Sequence, residues 1–251
     1  MNTWQKAVQK FIEPWKKRSD VIGALVCGSF VSGLATKNSD IDIHIILSNK
    51  VNWRERGNKI VDGYMIEYFA NPIKQIKKYQ QEIFTDMRRT DARMFSSGII
   101  LFDKTGELIK FQKFSKKRMF TSFKAQSKFS IELSKYFLWD EADNLKDLYE
   151  QHSPGFSLFY YHLLEITIKT YAKFLKLEIA PPSKLYRFLT DKNFCEKYKI
   201  EQFSDQVFVK HFLQALKKPD FKRVNQLVNY VLVQIGGLKV DGFKLKTKLA
   251  L

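Results

Sequence analysis

The sequence predicts an α+β chain: a small mixed-sheet domain over residues 1–106, followed by a helical bundle over residues 107–251. Three observations predict it. Short apolar runs rich in β-branched residues, each bounded by turn-forming residues, occupy the first part. Asp62-Gly63, a dipeptide suited to a two-residue hairpin turn, separates two of these runs. Beyond about residue 107 the apolar residues recur three and four apart, the period of an amphipathic helix.

Residues 3–18 place Trp4, Val8, Phe11, Ile12 and Trp15 on one helical face and Lys6, Lys10, Lys16 and Lys17 on the other. Pro14 is expected to bend or restart that helix. Val21 to Cys27 is a continuous apolar run between Asp20 and Gly28, the pattern of a buried strand. A turn-and-helix region from Gly28 to Asn38 comes next. In the second strand Ile41, Ile43, Ile45 and Leu47 alternate with Asp40, Asp42, His44 and Ile46. Lys59 to Val61 and Tyr64 to Phe69 read as the arms of the hairpin, a helix is expected from Asn71-Pro72 to about Met87, and Gly98 to Phe102 gives a further apolar run. Helices are then expected over 120–148, 156–175, 184–188, 206–216 and 221–235. They are separated at Ser153-Pro154-Gly155, Pro181-Pro182 and Lys218-Pro219, since the residue before proline disfavours continued helix. A short basic segment of turn and strand is expected after Gly236-Gly237.

Composition removes several classes. Hydrophobic residues make up 45% and aromatic residues 15% of the 251, enough to build cores and too many for a disordered chain. No apolar stretch approaches the roughly 18 to 20 residues of a membrane-spanning helix, and Trp4, Lys6 and Glu13 stand where a signal peptide would be apolar. A cytoplasmic location is expected. Cys27 and Cys195 are far apart and lack CxxC spacing, and His44, His152, His162 and His211 form no HExxH pattern, which argues against a disulfide framework and against a zinc hydrolase. A catalytic metal would be held by oxygen. The net charge of +17, from 43 Lys and Arg against 26 Asp and Glu, favours polyanions such as nucleotides, although the basic residues are spread along the chain.

Residues two apart in a strand point to the same side, so Asp40 and Asp42 can aim both carboxylates at one point. Like charges that close call for a cation, and Mg2+ suits them: it takes hard oxygen ligands and commonly uses one or two protein carboxylates together with substrate phosphates. Gly28-Ser29 directly follows a strand, where glycine allows close backbone approach and the serine hydroxyl can meet phosphate oxygens. Gly33 would keep that turn compact. Glu67, in the hairpin expected beside the Asp40 strand, offers a third carboxylate for a second metal or for the proton of an acceptor hydroxyl.

Gly28-Ser29-x3-Gly33-x-Ala35-x3-Ser39-Asp40-Ile41-Asp42, with apolar runs on both sides, resembles the signature of the DNA polymerase β-like nucleotidyltransferase superfamily. The resemblance implies that Gly28, Ser29 and Ser39 serve the nucleotide and that Asp40, Asp42 and Glu67 are both metal ligands and catalytic residues. It further implies two Mg2+ ions and a nucleoside triphosphate, ATP foremost, as co-substrate. A short α/β domain followed by helices is similar to the aminoglycoside and lincosamide nucleotidyltransferases, which implies a helical substrate-binding domain and transfer of a nucleoside monophosphate to a small-molecule hydroxyl. Phe30 and Ser32 stand where many small members carry arginines.

Two other classes compete: an antitoxin-like adenylyltransferase acting on a protein partner, and a non-catalytic nucleic-acid-binding protein, for which no RNA-binding motif is visible. Arg88, Arg89 and Arg93 are expected as surface charge, His44 in a structural hydrogen bond, and Asp140, Glu141 and Asp143 on a solvated helix face. Phe159, Tyr160, Tyr161 and His162 are expected in helical packing.

Overall fold

The computed structural model describes residues 3–247. In chain order these form α1 (Thr3–Lys16), β1 (Val21–Cys27), α2 (Ser29–Ser32), β2 (Ile41–Leu47), β3 (Glu55–Val61), β4 (Tyr64–Pro72), α3 (Ile73–Thr85), α4 (Thr90–Ser97), β5 (Ile99–Asp103) and α5 (Glu107–Met119). The remaining helices are α6 (Lys128–Glu150), α7 (Phe156–Leu175), α8 (Pro182–Thr190), α9 (Lys192–Tyr198), α10 (Gln206–Lys217) and α11 (Phe221–Gln234). Two compact units result among the described residues, 3–122 with 191–200 and 123–190 with 201–247.

The first unit is organised by a five-stranded sheet of order β3-β4-β2-β1-β5. β2 pairs antiparallel with β1 and parallel with β4, while β3 and β5 close the edges antiparallel to β4 and β1. Strand alternation sorts β2 onto two faces. Ile41, Ile43, Ile45 and Leu47 join Val8, Phe11 and Ile12 of α1 in one core cluster. On the opposite face, Ile46 joins Leu25 and Cys27 of β1, Ile73 and Ile76 of α3, Phe95 of α4, and Leu108 and Phe111 of α5. Asp42 and His44 share the Ile46 side, so the chemistry lies on the α3–α5 face. Asp62 and Gly63 turn the hairpin with φ of 51° and 81°, the two positive angles that a tight hairpin turn requires.

α5 packs on the sheet instead of opening the helical half expected from residue 107, because Leu108 and Phe111 are buried in the second cluster. α1 continues through Pro14: the missing amide falls in its last turn, so one helical bond is lost and the helix ends two residues later. α6 begins at Lys128 and not at Phe120, because Ser127 supplies the cap, its hydroxyl accepting from the Ser130 amide at 3.1 Å. No strand occurs between residues 236 and 247, contrary to expectation.

In the second unit the helices converge on Tyr160, Leu163, Phe208, Phe212, Val224 and Leu227, all nearly fully buried. Of the aromatic stretch of α7, Tyr160 is core, its hydroxyl donating to the Ala215 carbonyl at 2.7 Å, whereas Phe159 is half-buried and Tyr161 and His162 are exposed, contrary to expectation. Asp205 ties three elements together. Its carboxylate caps α10 through the Phe208 amide at 2.9 Å and accepts the hydroxyls of Tyr171 (2.6 Å) and Tyr230 (2.7 Å). Asp140 and Glu141 are half-buried on α6 and Asp143 is exposed.

Candidate active site

The parallel pairing of β2 and β4 places Asp42 directly beside Glu67. Asp40 lies two residues before Asp42, at the mouth of β2. One carboxylate oxygen from each of Asp40, Asp42 and Glu67 lies within 4.8 Å of the others, and all three residues are partly buried. At that separation two unit charges repel by about 3 kcal/mol at an effective dielectric of about 20, a repulsion that the Arg56 guanidinium on Glu67 offsets in part and a bound cation would relieve further.

The donor set is all oxygen and fits a hard divalent ion such as Mg2+. Neither nearby soft ligand competes. Burial, followed by the carboxylates of Asp42 and Asp91, pushes the Cys27 thiol well above its usual value and keeps it protonated. His44 turns its ring into an aromatic stack, 5.2 Å from Phe69 and 4.6 Å from Phe95 between centroids.

Gly28 follows β1 and meets Asp42 from the side. Its φ of 78° with ψ of −154° belongs to a region open almost only to glycine, and a Cβ there would lie 1.9 Å from Asp42 Oδ2. The close approach therefore requires glycine. Ser29 opens α2, and its carbonyl accepts the Leu34 amide at 2.9 Å and the Ser32 hydroxyl at 3.3 Å, closing a compact turn at Gly33. The Ser39 hydroxyl accepts the Thr36 amide at 2.9 Å and so shapes the loop leading to Asp40. Phe30 packs against Trp4 and Tyr64 with centroids 5.7 and 6.0 Å away.

Several residues at the site escaped the sequence reading. Arg56 donates to Glu67 Oε1 through Nη2 at 2.5 Å and Nε at 3.1 Å, which leaves Oε2 outside the pair, and its guanidinium lies 4.9 Å from the Phe69 ring centre. A signal existed: counting back from the two-residue turn puts Arg56 opposite Phe69 and next to Glu67 on the same face. Asp91, in the first turn of α4, is held up to about 6 by burial. Arg93 is buried, not a surface charge, and its guanidinium lies 4.5 Å from the Tyr198 ring centre of α9. Arg89 donates to the Thr121 carbonyl at 2.8 Å, and Arg88 pairs with Asp86 at 3.6 Å. His44 has no structural hydrogen bond: neither ring nitrogen has a partner among the described residues, and burial lowers its pKa to about 4.

No curated protein matches the chain. Among solved structures it is similar to a nucleotidyltransferase-like protein from Exiguobacterium sibiricum, at 10% identity and a TM-score of 0.48, over 92% of this chain and 74% of that one. The family model described as nucleotidyltransferase domain matches residues 8–96, from within α1 to within α4, and this span holds Gly28, Ser29, Asp40, Asp42 and Glu67 together. Over residues 8–96 the chain thus matches a nucleotidyltransferase domain, a match that supports nucleotidyl transfer and implies a nucleoside triphosphate and a divalent metal.

Proposed function

We propose that the protein is a Mg2+-dependent nucleotidyltransferase that moves a nucleoside monophosphate from a nucleoside triphosphate, ATP foremost, to a hydroxyl of a small molecule. Antibiotics of the aminoglycoside or lincosamide kind are one class of acceptor to test, beside neutral and anionic hydroxyl compounds. The observation that carries the reading is the convergence of Asp40, Asp42 and Glu67, with Gly28 leaving room for the Asp42 carboxylate.

In this reading Asp40 and Asp42 hold the metal, and Gly28 and Ser29 meet the triphosphate at the end of β1, with Ser39 fixing the loop before Asp40. Bound divalent metal would neutralise charge on the phosphates and orient the reacting groups. The acceptor hydroxyl oxygen forms a bond to the α-phosphorus, and the bond from that phosphorus to the pyrophosphate oxygen breaks. The hydroxyl proton passes to the Glu67 carboxylate, and pyrophosphate leaves. Arg56 holds Glu67 through Oε1 alone, so Oε2 is the oxygen available to metal or proton.

Incubation with Mg2+, labelled nucleoside triphosphates and a panel of antibiotics and metabolites should yield pyrophosphate and a labelled product. Asp42→Asn should lower turnover by at least about 10^3-fold while leaving the circular dichroism spectrum unchanged. Full activity in that variant would overturn the assignment.

A further inference from the structure

The sheet face that carries the triad continues into a cavity of about 640 Å3. His44 and Phe69, each two residues beyond a triad carboxylate on its own strand, form the floor, roughly 7 Å further along. Arg54 and Arg56 wall it from the β3 side, Tyr79 from α3 and Asp91 from α4. The volume lies within the range of about 300–1,000 Å3 usual for small-molecule sites. Arg56 belongs to both places, since it lines the cavity and also holds Glu67.

Three observations say what would fill it. His44 is 8% exposed and neither of its nitrogens has a partner among the described residues, an arrangement that is costly unless a ligand meets them. Phe69 and Phe95 cover its ring, so its two nitrogens are what it has left to offer a polar group such as a hydroxyl. Asp91 brings a carboxyl group to the same space, a further hydroxyl partner. The charges are also unequal in their commitments. Arg56 is engaged by Glu67, and Glu55 accepts the Tyr68 hydroxyl at 2.6 Å. Arg54 instead donates to the Tyr79 hydroxyl, with its guanidinium 6.0 Å from that ring centre, and pairs with no carboxylate among the described residues. Tyr79 supplies aromatic surface between the hydroxyl-binding end and the cation, while the Phe69 ring lies between His44 and the Arg56 guanidinium.

Building on the transferase reading, we propose that this cavity is the acceptor pocket and that it takes a hydroxylated ring bearing an anionic group, of the sugar-phosphate class. His44 and Asp91 hold the hydroxyls, Tyr79 lies against the ring, and Arg54 takes the anion. Recognition of the acceptor then lies within the sheet domain, and a cationic amino sugar is disfavoured.

A charge series on one scaffold tests this. Calorimetric titration of the full-length Asp42→Asn variant with glucose 6-phosphate, glucose and glucosamine should give tightest binding for the phosphate, at least tenfold tighter than glucose, with glucosamine weakest. Arg54→Gln should bring the phosphate to within threefold of glucose, whereas His44→Phe, which keeps the aromatic packing, should weaken the phosphate and glucose alike. Glucosamine binding as tightly as glucose 6-phosphate, or an Arg54→Gln variant that still prefers the phosphate tenfold, overturns the pocket. So does absence of binding by all three sugars while the wild-type protein transfers nucleotide to some other acceptor, an outcome that leaves the transferase reading standing. Binding in the expected order without any nucleotide transfer by the wild-type protein would do the reverse.

Discussion

Replacing Gly28 by alanine separates two costs that usually come together. The backbone cost arises because φ of 78° and ψ of −154° suit glycine, and an L-residue there is strained by about 1–3 kcal/mol. At about 2–4 °C per kcal/mol for a chain of this size, melting should fall by roughly 2–12 °C. The second cost is local. The new Cβ would lie 1.9 Å from Asp42 Oδ2, and contacts below 3.0 Å are essentially never seen, so the carboxylate must retreat by about 1 Å. A displacement of that size in a reacting constellation costs about 10^2-fold in rate, or about 2.7 kcal/mol. Gly63→Ala is the matched control, because Gly63 has φ of 81° but open space around its Cβ position. Pyrophosphate release should drop about 100-fold in the Gly28→Ala variant and stay within threefold of wild type in Gly63→Ala, while both lose stability. Free Mn2+ followed by electron paramagnetic resonance should show weaker ion binding in Gly28→Ala only. Equal activity and equal Mn2+ affinity in the two variants would refute the placement of Asp42.

Other outcomes follow from buried groups. Asp91 titrates near 6 in the folded protein against about 3.9 unfolded, so the folded state holds its proton more tightly and stability declines as pH rises from about 4 to 6. Asp91→Asn should remove that decline and be about 1–3 kcal/mol more stable than wild type at pH 7, as read by denaturant titration across this range. For Asp205, burial alone would raise the pKa, but hydrogen bonds from Tyr171, the Phe208 amide, Tyr230 and the Val207 amide hold it below the usual value. Its stabilisation is therefore complete above pH about 4 and lost as pH falls further, and Asp205→Ala should cost about 2–4 kcal/mol at pH 7 and less at pH 2. Leu108→Ala should cost about 2–5 kcal/mol, measured by equilibrium unfolding; a negligible loss would remove α5 from the sheet's core.

The parts of this fold legible in the sequence are those that local chemistry decides. The run from Val21 to Cys27 is apolar at every position, and the strand takes those bounds. Asp62-Gly63 supplies two left-handed residues, and the hairpin forms there. Period-two alternation put Asp40 and Asp42 on one side, and the expected neighbour strand delivers Glu67 to Asp42 in register. What stayed hidden depends on contacts distant in sequence. α4 is eight residues long and buries Arg93 among its apolar positions, so its pattern resembles a polar loop until Tyr198 arrives to cover the guanidinium. His44 reads as a polar residue wanting a hydrogen bond, yet its surroundings are Phe69 and Phe95, one from the next strand and one from α4. The cavity is assembled from β2, β3, β4, α3, α4 and the residue before β3, which no local window spans.

The hairpin turn at Asp62 and Gly63 has a consequence far from where it sits. Because side chains alternate along a strand, the number of residues between Tyr64 and Val61 sets the phase of everything upstream in β3. Two residues bring Arg56 to the face of Glu67 and the cavity; one residue more would turn it toward α1 and bring Glu55 or Gly57 in its place. Insertions in the stretch between β2 and β3, residues 48–54, carry no such penalty of phase. Length variation in this protein should thus be tolerated before β3 and selected against at an exposed turn that touches nothing in the site.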